Sequence, residues 1–549
     1  MRKMLTRLVI CVVFASVKVA FAQQACEQLK NIQLDHATVE SAVIIEHTVL
    51  KEKRGDPPKE IDISVPWHCE VTVVARPTSD SEIGIVIWLP SNDAWNGKYV
   101  QRGNGGWAGL IQRKVLEKPL SLGYAVSATD DGHRALNAIP DASWAVGHPQ
   151  KLIDFGYRSE HKTAEISKDI AKAFYGREFE HAYFEGCSDG GREALMEAER
   201  FPEDFDGIIA GAPANNWTHL FTAFEWNEVA LDETPESKIS AQQLPLIEKT
   251  ALAACDGLDG IKDGLIDDPR NCSFDPSVLL CRGAATADCL TRPQINALKK
   301  IYDGPRNPRT GIQIYPGYEP GTEAEPDAWA LWIVGPVQSL FGNSFFAQAV
   351  FEKDHWDWKS MDFDRDVQIA DEKTAWILNS TNPDLRSFRD HGGKLIQYHG
   401  WGDAAIAPRD SINFYESVRT FLDRYPDPRW SQGTDIRAFY RLFMVPGLGH
   451  CTGGPGPTSF GNDDFLPEAG RPDDADHDVF LALDRWVTEG IAPEEIIADG
   501  TMASSGGDGH REKVPMTRPL CPFPEVARYK GMGNTNSATN FACVRVLSK

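Results

Sequence analysis

The chain has 549 residues, a formal net charge of −23, 42% hydrophobic residues and 25% charged residues. That length buries a large core and suits two domains, or one large domain with an insertion. The apolar and charged fractions exclude a disordered or fibrous chain, and the acidity opposes binding to nucleic acid or to an anionic membrane surface while saying little about a neutral substrate.

The start differs from the rest. Arg2, Lys3 and Arg7 precede an apolar run over residues 8–15, and Ala20-Phe21-Ala22 has the A-x-A form of a cleavage site. Residues 1–22 therefore read as a secretory signal peptide cut before Gln23. No later run is long and apolar enough to span a bilayer, so the expectation is a secreted or periplasmic protein with no membrane attachment after cleavage. Cys11 falls in the signal, leaving Cys26, Cys69, Cys187, Cys255, Cys272, Cys281, Cys289, Cys451, Cys521 and Cys543. An even set of cysteines in an exported chain reads as disulfides. No C-x-x-C pair argues for zinc instead. Sequence does not fix the pairing. Closeness favours Cys255 with Cys272, Cys281 with Cys289 and Cys521 with Cys543. Cys26 with Cys69 would close the N-terminal segment, which leaves Cys187 with Cys451.

Residues 26–80 read as β-structure and hairpins. Residues 83–90 form a strong buried strand and residues 98–101 another, running into Gly103-Asn104-Gly105-Gly106-Trp107-Ala108-Gly109. A glycine-rich loop after a strand at this place donates a backbone N–H to the oxyanion hole of an α/β-hydrolase. A phosphate loop fits less well, because no Gly-Lys-Ser/Thr follows. The next strand, residues 124–129, ends in Asp130-Asp131-Gly132-His133, which reads as supporting structure rather than as a metal or acid–base site. Residues 160–175 form an amphipathic helix.

Gly186-Cys187-Ser188-Asp189-Gly190 has the G-x-S-x-G form of a nucleophile elbow. A short strand from His181 precedes it. A helix over residues 192–201 follows, with Ala194, Leu195 and Ala198 on one face. Residues 207–213 make another buried strand, and the strand–helix alternation up to here argues for a mostly parallel sheet.

The alternation stops over residues 215–385, which carry polar helices, prolines, cysteine-closed loops and the aromatics Trp329, Trp332, Phe341, Phe345, Phe346, Phe351, Trp356 and Trp358. This stretch reads as a lid inserted between two sheet strands. The catalytic domain is then residues 23–214 and 386–549. An aromatic-rich lid suggests an apolar or aromatic substrate, though each aromatic taken singly belongs more readily to the lid's own core. Within the insertion, residues 255–268 crowd carboxylates with glycines. Asp256, Asp259 and Asp263, with the carbonyls of Ile261 and Leu265, suit a structural calcium ion, although the spacing is not that of an EF-hand.

Alternation resumes with a strand over residues 394–399, after which Asp403 is the candidate acid. A strand over residues 441–446 leads to Gly449-His450-Cys451 and the candidate base His450. The order Ser188, Asp403, His450 is the α/β-hydrolase order, and each acid and base follows a strand, where catalytic loops of an open α/β sheet lie.

On Cys187-Ser188, Asp403 and His450-Cys451, the chain resembles the tannase and feruloyl esterase family across nearly the whole mature length. That resemblance implies an α/β-hydrolase fold with a large inserted lid and a Cys187–Cys451 disulfide pinning the nucleophile beside the base. It implies a serine ester hydrolase working through an acyl-enzyme. The oxyanion would be held by the N–H groups of Asp189 and Gly106, with Gly105 the rival for the second. It implies a structural calcium ion and no organic cofactor. The substrates it implies are small esters of aromatic acids. Feruloyl-type esters are favoured; galloyl esters and a terephthalate monoester are the alternatives. Ile406 is aliphatic where the terephthalate branch resembles an aromatic, which argues against that substrate. The competing class is a non-catalytic, calcium-stabilised binding module on the same fold.

Overall fold

The computed structural model describes residues 23–54, 59–135, 140–284, 286–426, 429, 435–462, 472–505 and 511–545. The signal-peptide assignment at residues 1–22 lies outside the described residues. No described helix is long and apolar enough to cross a membrane.

The chain forms two compact units. One holds the residues up to Asn104, Ala108–Ala138 and His148–Phe184; the other holds Gly105–Trp107, Ile139–Gly147 and Glu185 onwards. In the first, strands β1 (Ala37–Ile45), β2 (Thr48–Arg54), β3 (Lys59–Val65), β4 (His68–Ala75), β5 (Ile83–Pro90), β6 (Lys98–Arg102) and β7 (Ala125–Thr129) follow one another. β2 and β3 pair as a hairpin, and the others assemble in the order β1-β4-β5-β7-β6. Every residue of β5 is buried, as its unbroken Ile-Gly-Ile-Val-Ile-Trp-Leu run requires. The pairings from β1 through β4 and β5 to β7 are antiparallel, and only β6 with β7 is parallel. The strands of this unit are therefore mostly antiparallel, where a mostly parallel sheet was expected. The connection between β4 and β5 is too short for a crossover, so the chain can only return antiparallel. The helix α1 (Ser159–Tyr175) ends on Gly176 at φ 73, a left-handed stop that glycine makes without strain.

Asp130 and its neighbours do hold structure in this unit. The Asp130 carboxylate accepts the N–H groups of Gly84 at 2.8 Å and Gly132 at 3.0 Å. Burial outweighs those bonds and pushes its carboxyl up to about 7. Asp131 accepts from Asn104 Nδ2 at 3.0 Å and from Ser159 Oγ at 2.9 Å, anchoring the first residues of the glycine-rich loop.

Strand β8 (His181–Cys187) carries the chain from the first unit into the second. There α2 (Asp189–Arg200) and β9 (Gly207–Gly211) follow. Sequence periodicity marks one apolar face on α2, yet its residues from Asp189 to Ala198 are all buried, charged side chains included. The helix packs on β9 closely enough that a Cβ on Gly191 would lie 2.3 Å from the Gly211 carbonyl oxygen. β10 (Lys394–Gly400) lies parallel between β9 and β11 (Tyr440–Val445), with Ile396 opposite Ile209 on one side and Arg441 on the other.

Between β9 and β10 run the helices α3 (Trp217–Leu231), α4 (Leu244–Cys255), α5 (Arg292–Asp303) and α6 (Val337–Ser344). α5 begins on a reciprocal Thr291/Gln294 cap, which satisfies two of its otherwise orphaned N–H groups. After β10 come α7 (Arg409–Arg424) and then, beyond β11, α8 (Val479–Glu489), capped by Asp478. β12 (Gly456–Ser459), β13 (Ile496–Ser505) and β14 (Arg511–Leu520) form a three-stranded sheet, and β15 (Glu525–Tyr529) pairs with β16 (Phe541–Arg545).

Gly191→Ala should destabilise the protein by at least about 1–3 kcal/mol, the usual cost of overpacking, because the added methyl meets backbone rather than a yielding side chain. A lowered denaturation midpoint checks this; an unchanged midpoint would show that α2 can lift off β9 freely.

Candidate active site

The site begins at the turn between β8 and α2. Ser188 sits at φ 68, ψ −119, in a region that costs a non-glycine residue roughly 1–3 kcal/mol. Three backbone hydrogen bonds hold it there. Ser188 N–H donates to Gly211 O at 2.9 Å, and Ser188 O accepts from Arg192 N at 3.1 Å and Ala214 N at 3.0 Å. The motif's first glycine is needed for the same reason: a Cβ on Gly186 would fall 2.6 Å from the Gly190 carbonyl. The result is a half-exposed hydroxyl at the end of a buried strand.

The acid and base arrive on the loops after β10 and β11. These loops bond directly, Gly402 N–H donating to Leu448 O at 2.9 Å. His450 Nε2 lies 2.9 Å from Ser188 Oγ, and His450 Nδ1 lies 2.8 Å from Asp403 Oδ2. The other oxygen, Oδ1, accepts the N–H groups of Ala405 at 2.8 Å and Ile406 at 2.9 Å. Asp403 is 2% exposed. Burial alone would raise its carboxyl. The charge of His450 and the imidazole groups of His399 and His450 beside it overcome that and hold it well below the usual carboxylate range. The three expected residues are thus brought into one hydrogen-bonded line.

All ten expected cysteines are paired as sequence closeness and the resemblance implied: Cys26–Cys69, Cys187–Cys451, Cys255–Cys272, Cys281–Cys289 and Cys521–Cys543. Cys187 and Cys451 have their Cα atoms 6.0 Å apart across 264 residues of sequence. They flank Ser188 and His450, so the bond limits how far apart those two residues can lie.

Asp189 is the first residue of α2, where no intrahelical acceptor exists for its N–H. Its carboxylate is buried against Arg192 Nε at 2.5 Å, so the side chain is committed to the helix. Gly106 stands at φ 64, with the Phe341 ring 3.4 Å from where a Cβ would be. Aromatic rings run from this loop to the base. Trp107 stacks on Phe221 at 5.7 Å, Phe221 on Phe341 at 5.9 Å, and Phe341 on Trp332 at 6.3 Å; Trp332 meets His450 edge-on at 5.3 Å. Phe345, Phe346 and Trp329 are buried core, whereas Trp332 and Phe341 are half-buried at the site. Of these five rings of the insertion, Trp332 is the one in contact with His450, and Phe341 the one against Gly106.

Asp256, Asp259 and Asp263 gather around one loop. Asp256 accepts from the N–H groups of Asp263 and Gly264, Asp259 from that of Ile261, and Asp263 from that of Leu265. Arg518 pairs with Asp263. Burial and the neighbouring carboxylates of Asp259 and Asp263 push Asp267 well above the carboxylate range.

Sequence reasoning missed His399, Ser411, Tyr318 and Gln338. Tyr318 OH donates to Ala405 O at 3.0 Å, and Gln338 Nε2 donates to Ala404 O at 2.8 Å. Both come from the insertion and brace the loop that bears Asp403. Gln397 and His399 offered a signal: two polar residues two apart on a fully buried strand share a face and need buried partners. Nothing local marked Tyr318 or Gln338.

Residues 69–544 match the family described as Tannase and feruloyl esterase. An uncharacterized esterase of Xanthomonas campestris pv. campestris is 42% identical over 545 residues, covering 96% of this chain and 92% of that protein. A mono(2-hydroxyethyl) terephthalate hydrolase of Piscinibacter sakaiensis is 32% identical over 597 residues, covering 95% and 92%. The crystal structure of feruloyl esterase B from Aspergillus oryzae superposes with a TM-score of 0.82 at 28% identity, covering 95% of this chain and all of that one (100%). The chain is thus a carboxylic ester hydrolase with an α/β-hydrolase fold. It belongs to the tannase and feruloyl esterase family.

Replacing Cys187 and Cys451 together by alanine should lower kcat/KM by about 100-fold, since misplacing reacting groups by about 1 Å costs that much. It should also lower stability by up to about 5 kcal/mol on the chain-entropy estimate for so long a loop. Steady-state kinetics at a temperature where the variant remains folded separates the two effects; unchanged turnover would show that the bond does not position the pair.

Proposed function

We propose that the protein is an exported serine esterase that cleaves esters of hydroxycinnamic-type aromatic acids through an acyl-enzyme. The observation that carries the mechanism is the line from Ser188 Oγ through His450 to Asp403, at 2.9 and 2.8 Å. His450 Nε2 takes the Ser188 proton as Oγ attacks the ester carbonyl. The oxyanion forms facing the N–H groups of Asp189 and Gly106, each such donor being worth about 100- to 1,000-fold in rate. His450 then gives its proton to the departing alcohol, leaving the acid esterified to Ser188. Water, deprotonated by the same imidazole, releases it. Asp403 orients the ring and stabilises its cation. An intact line of this kind argues against a binding module.

The insertion, residues 215–385, serves as the lid. Trp332 and Phe341, half-buried between the Gly106 loop and His450, favour a planar aromatic acyl group. The similarity to feruloyl esterase B supports the feruloyl class. The terephthalate hydrolase is comparably similar, but Ile406 is aliphatic and buried, its backbone spent on Asp403. Export rests on the charged, apolar and A-x-A pattern of residues 1–22 and on five disulfides.

The loop at residues 255–268 suits calcium. Its donors are all oxygen, the choice of a hard cation, and Asp267 Oδ1 is buried with no hydrogen-bond partner. Asp256, Asp259 and Asp263, with the carbonyls of Ile261 and Leu265, would hold the ion, whose charge would offset the crowding of carboxylates. Its role is structural.

Four measurements test this. A panel of methyl ferulate, methyl gallate and mono(2-hydroxyethyl) terephthalate should give the highest kcat/KM for the ferulate; a clear preference for another member overturns the substrate class. Asp403→Asn should lower kcat by about 10⁴-fold, and fluorophosphonate should label Ser188 in the native protein but not in Ser188→Ala. Chelation should lower the melting temperature, restored by added calcium, with a loss of about 4 kcal/mol if the working concentration is a thousand times Kd; an unchanged melting curve removes calcium from the account.

A further inference from the structure

A second histidine stands behind the acid. His399 is fully buried at the end of β10, its Nε2 3.1 Å from Ile406 O and 3.2 Å from Asp403 Oδ2. Both neighbours are acceptors, so Nε2 must carry a proton. At the other nitrogen, Nδ1 lies 2.6 Å from Ser411 Oγ. Ser411 Oγ in turn receives Gln397 Nε2 at 2.6 Å, and Gln397 Oε1 accepts from Tyr440 OH. The Gln397 amide sets the direction of the two bonds it makes. Tyr440 must donate because an amide oxygen has no proton to give. The Gln397 amide then donates to Ser411, and Ser411 turns its own proton onto Nδ1. The chain from β11 through β10 and α7 thus holds the His399 ring at Nδ1 and leaves its Nε2–H pointed at the loop that carries Asp403.

We propose that His399 is a positioning residue for the esterase reaction, acting through Asp403; this rests on the reading of Asp403 as the catalytic acid. Its Nε2–H holds the Ile406 carbonyl, and Ile406 N–H in turn donates to Asp403 Oδ1. The same ring edge disperses charge from Oδ2, the oxygen shared with His450. Asp403 is then fixed in direction by backbone at one oxygen and by two imidazoles at the other. Dispersal matters chemically. A more concentrated charge on Asp403 would hold the His450 proton more tightly, so the base would reach its neutral, active form only at higher pH. The other titratable groups facing Asp403 are the hydroxyls of Tyr315 and Tyr318 from the insertion, both pushed well above their ordinary value by burial, so they remain neutral. Asp410 on α7 faces Tyr315 and His219 rather than His399.

The test uses the full chain. His399→Phe keeps a ring of similar size and removes both nitrogens. The acidic limb of its kcat/KM–pH profile should move up by roughly one unit, the scale of one hydrogen bond to a charged group, with kcat falling about tenfold. The low-field proton resonance of His450 Nδ1–H should shift with it. His399→Gln, which retains a donor, should restore part of both. A lowered kcat with an unmoved limb and an unmoved resonance would make His399 a packing residue and overturn the proposal. Should His399→Phe fail to fold, nitrogen-15 shifts of histidine in the wild-type protein decide: Nε2–H with bare Nδ1 at neutral pH supports it, and Nδ1–H or a doubly protonated His399 overturns it. Ser188→Ala labelling and the Asp403→Asn loss fail separately if the catalytic reading itself is wrong.

Discussion

The strained turn at Ser188 is the constraint from which the rest follows. A serine at φ 68 keeps that conformation only because its carbonyl and N–H are bonded to β9 and to the two segments that flank it. Those bonds need α2 to lie directly on β9, an approach that needs hydrogen in place of a methyl at residue 191, as the turn itself does at residue 186. The cost of the turn is offset by burial of nearly the whole of α2. What the strain provides is a hydroxyl held clear of its own backbone at a fixed point, toward which other loops can be aimed.

Two loops are aimed there by different means. The base loop is tied covalently, Cys451 to Cys187, and the acid loop is tied to the base loop by Gly402 N–H on Leu448 O. The acid loop is also gripped on both sides, by Tyr318 and Gln338 from the insertion and by His399 from the strand beneath. The insertion is therefore part of what holds the acid still as well as the bearer of Trp332 and Phe341. The same element thus supplies the ring beside His450 and the braces on the Asp403 loop.

Much of this was legible in the residues. The buried strands at residues 83–90 and 207–213 announced themselves as unbroken apolar runs, and the elbow, acid and base stood in a diagnostic order. The aromatics of the insertion were legible as a group but not individually: nothing local separates Trp329, which is core, from Trp332, which faces His450. The expectation of a mostly parallel sheet failed at β5 and β7, which pair antiparallel, because alternation of pattern reports burial and not strand direction.

Sequence alone determined the chemistry available: a serine on a glycine turn, a serine and a histidine each beside a cysteine, and an acid after a strand. These are properties of short segments, set by local sterics and by which residue types can act as nucleophile, base or acid. Tertiary structure decided what each group is next to. The direction of the hydrogen-bond chain through Tyr440, Gln397, Ser411 and His399 depends on which acceptors face Nε2. The bracing of the acid loop by Gln338 joins residues 66 apart in sequence. Such contacts are set by the packing of whole elements, and no local pattern of residues encodes them.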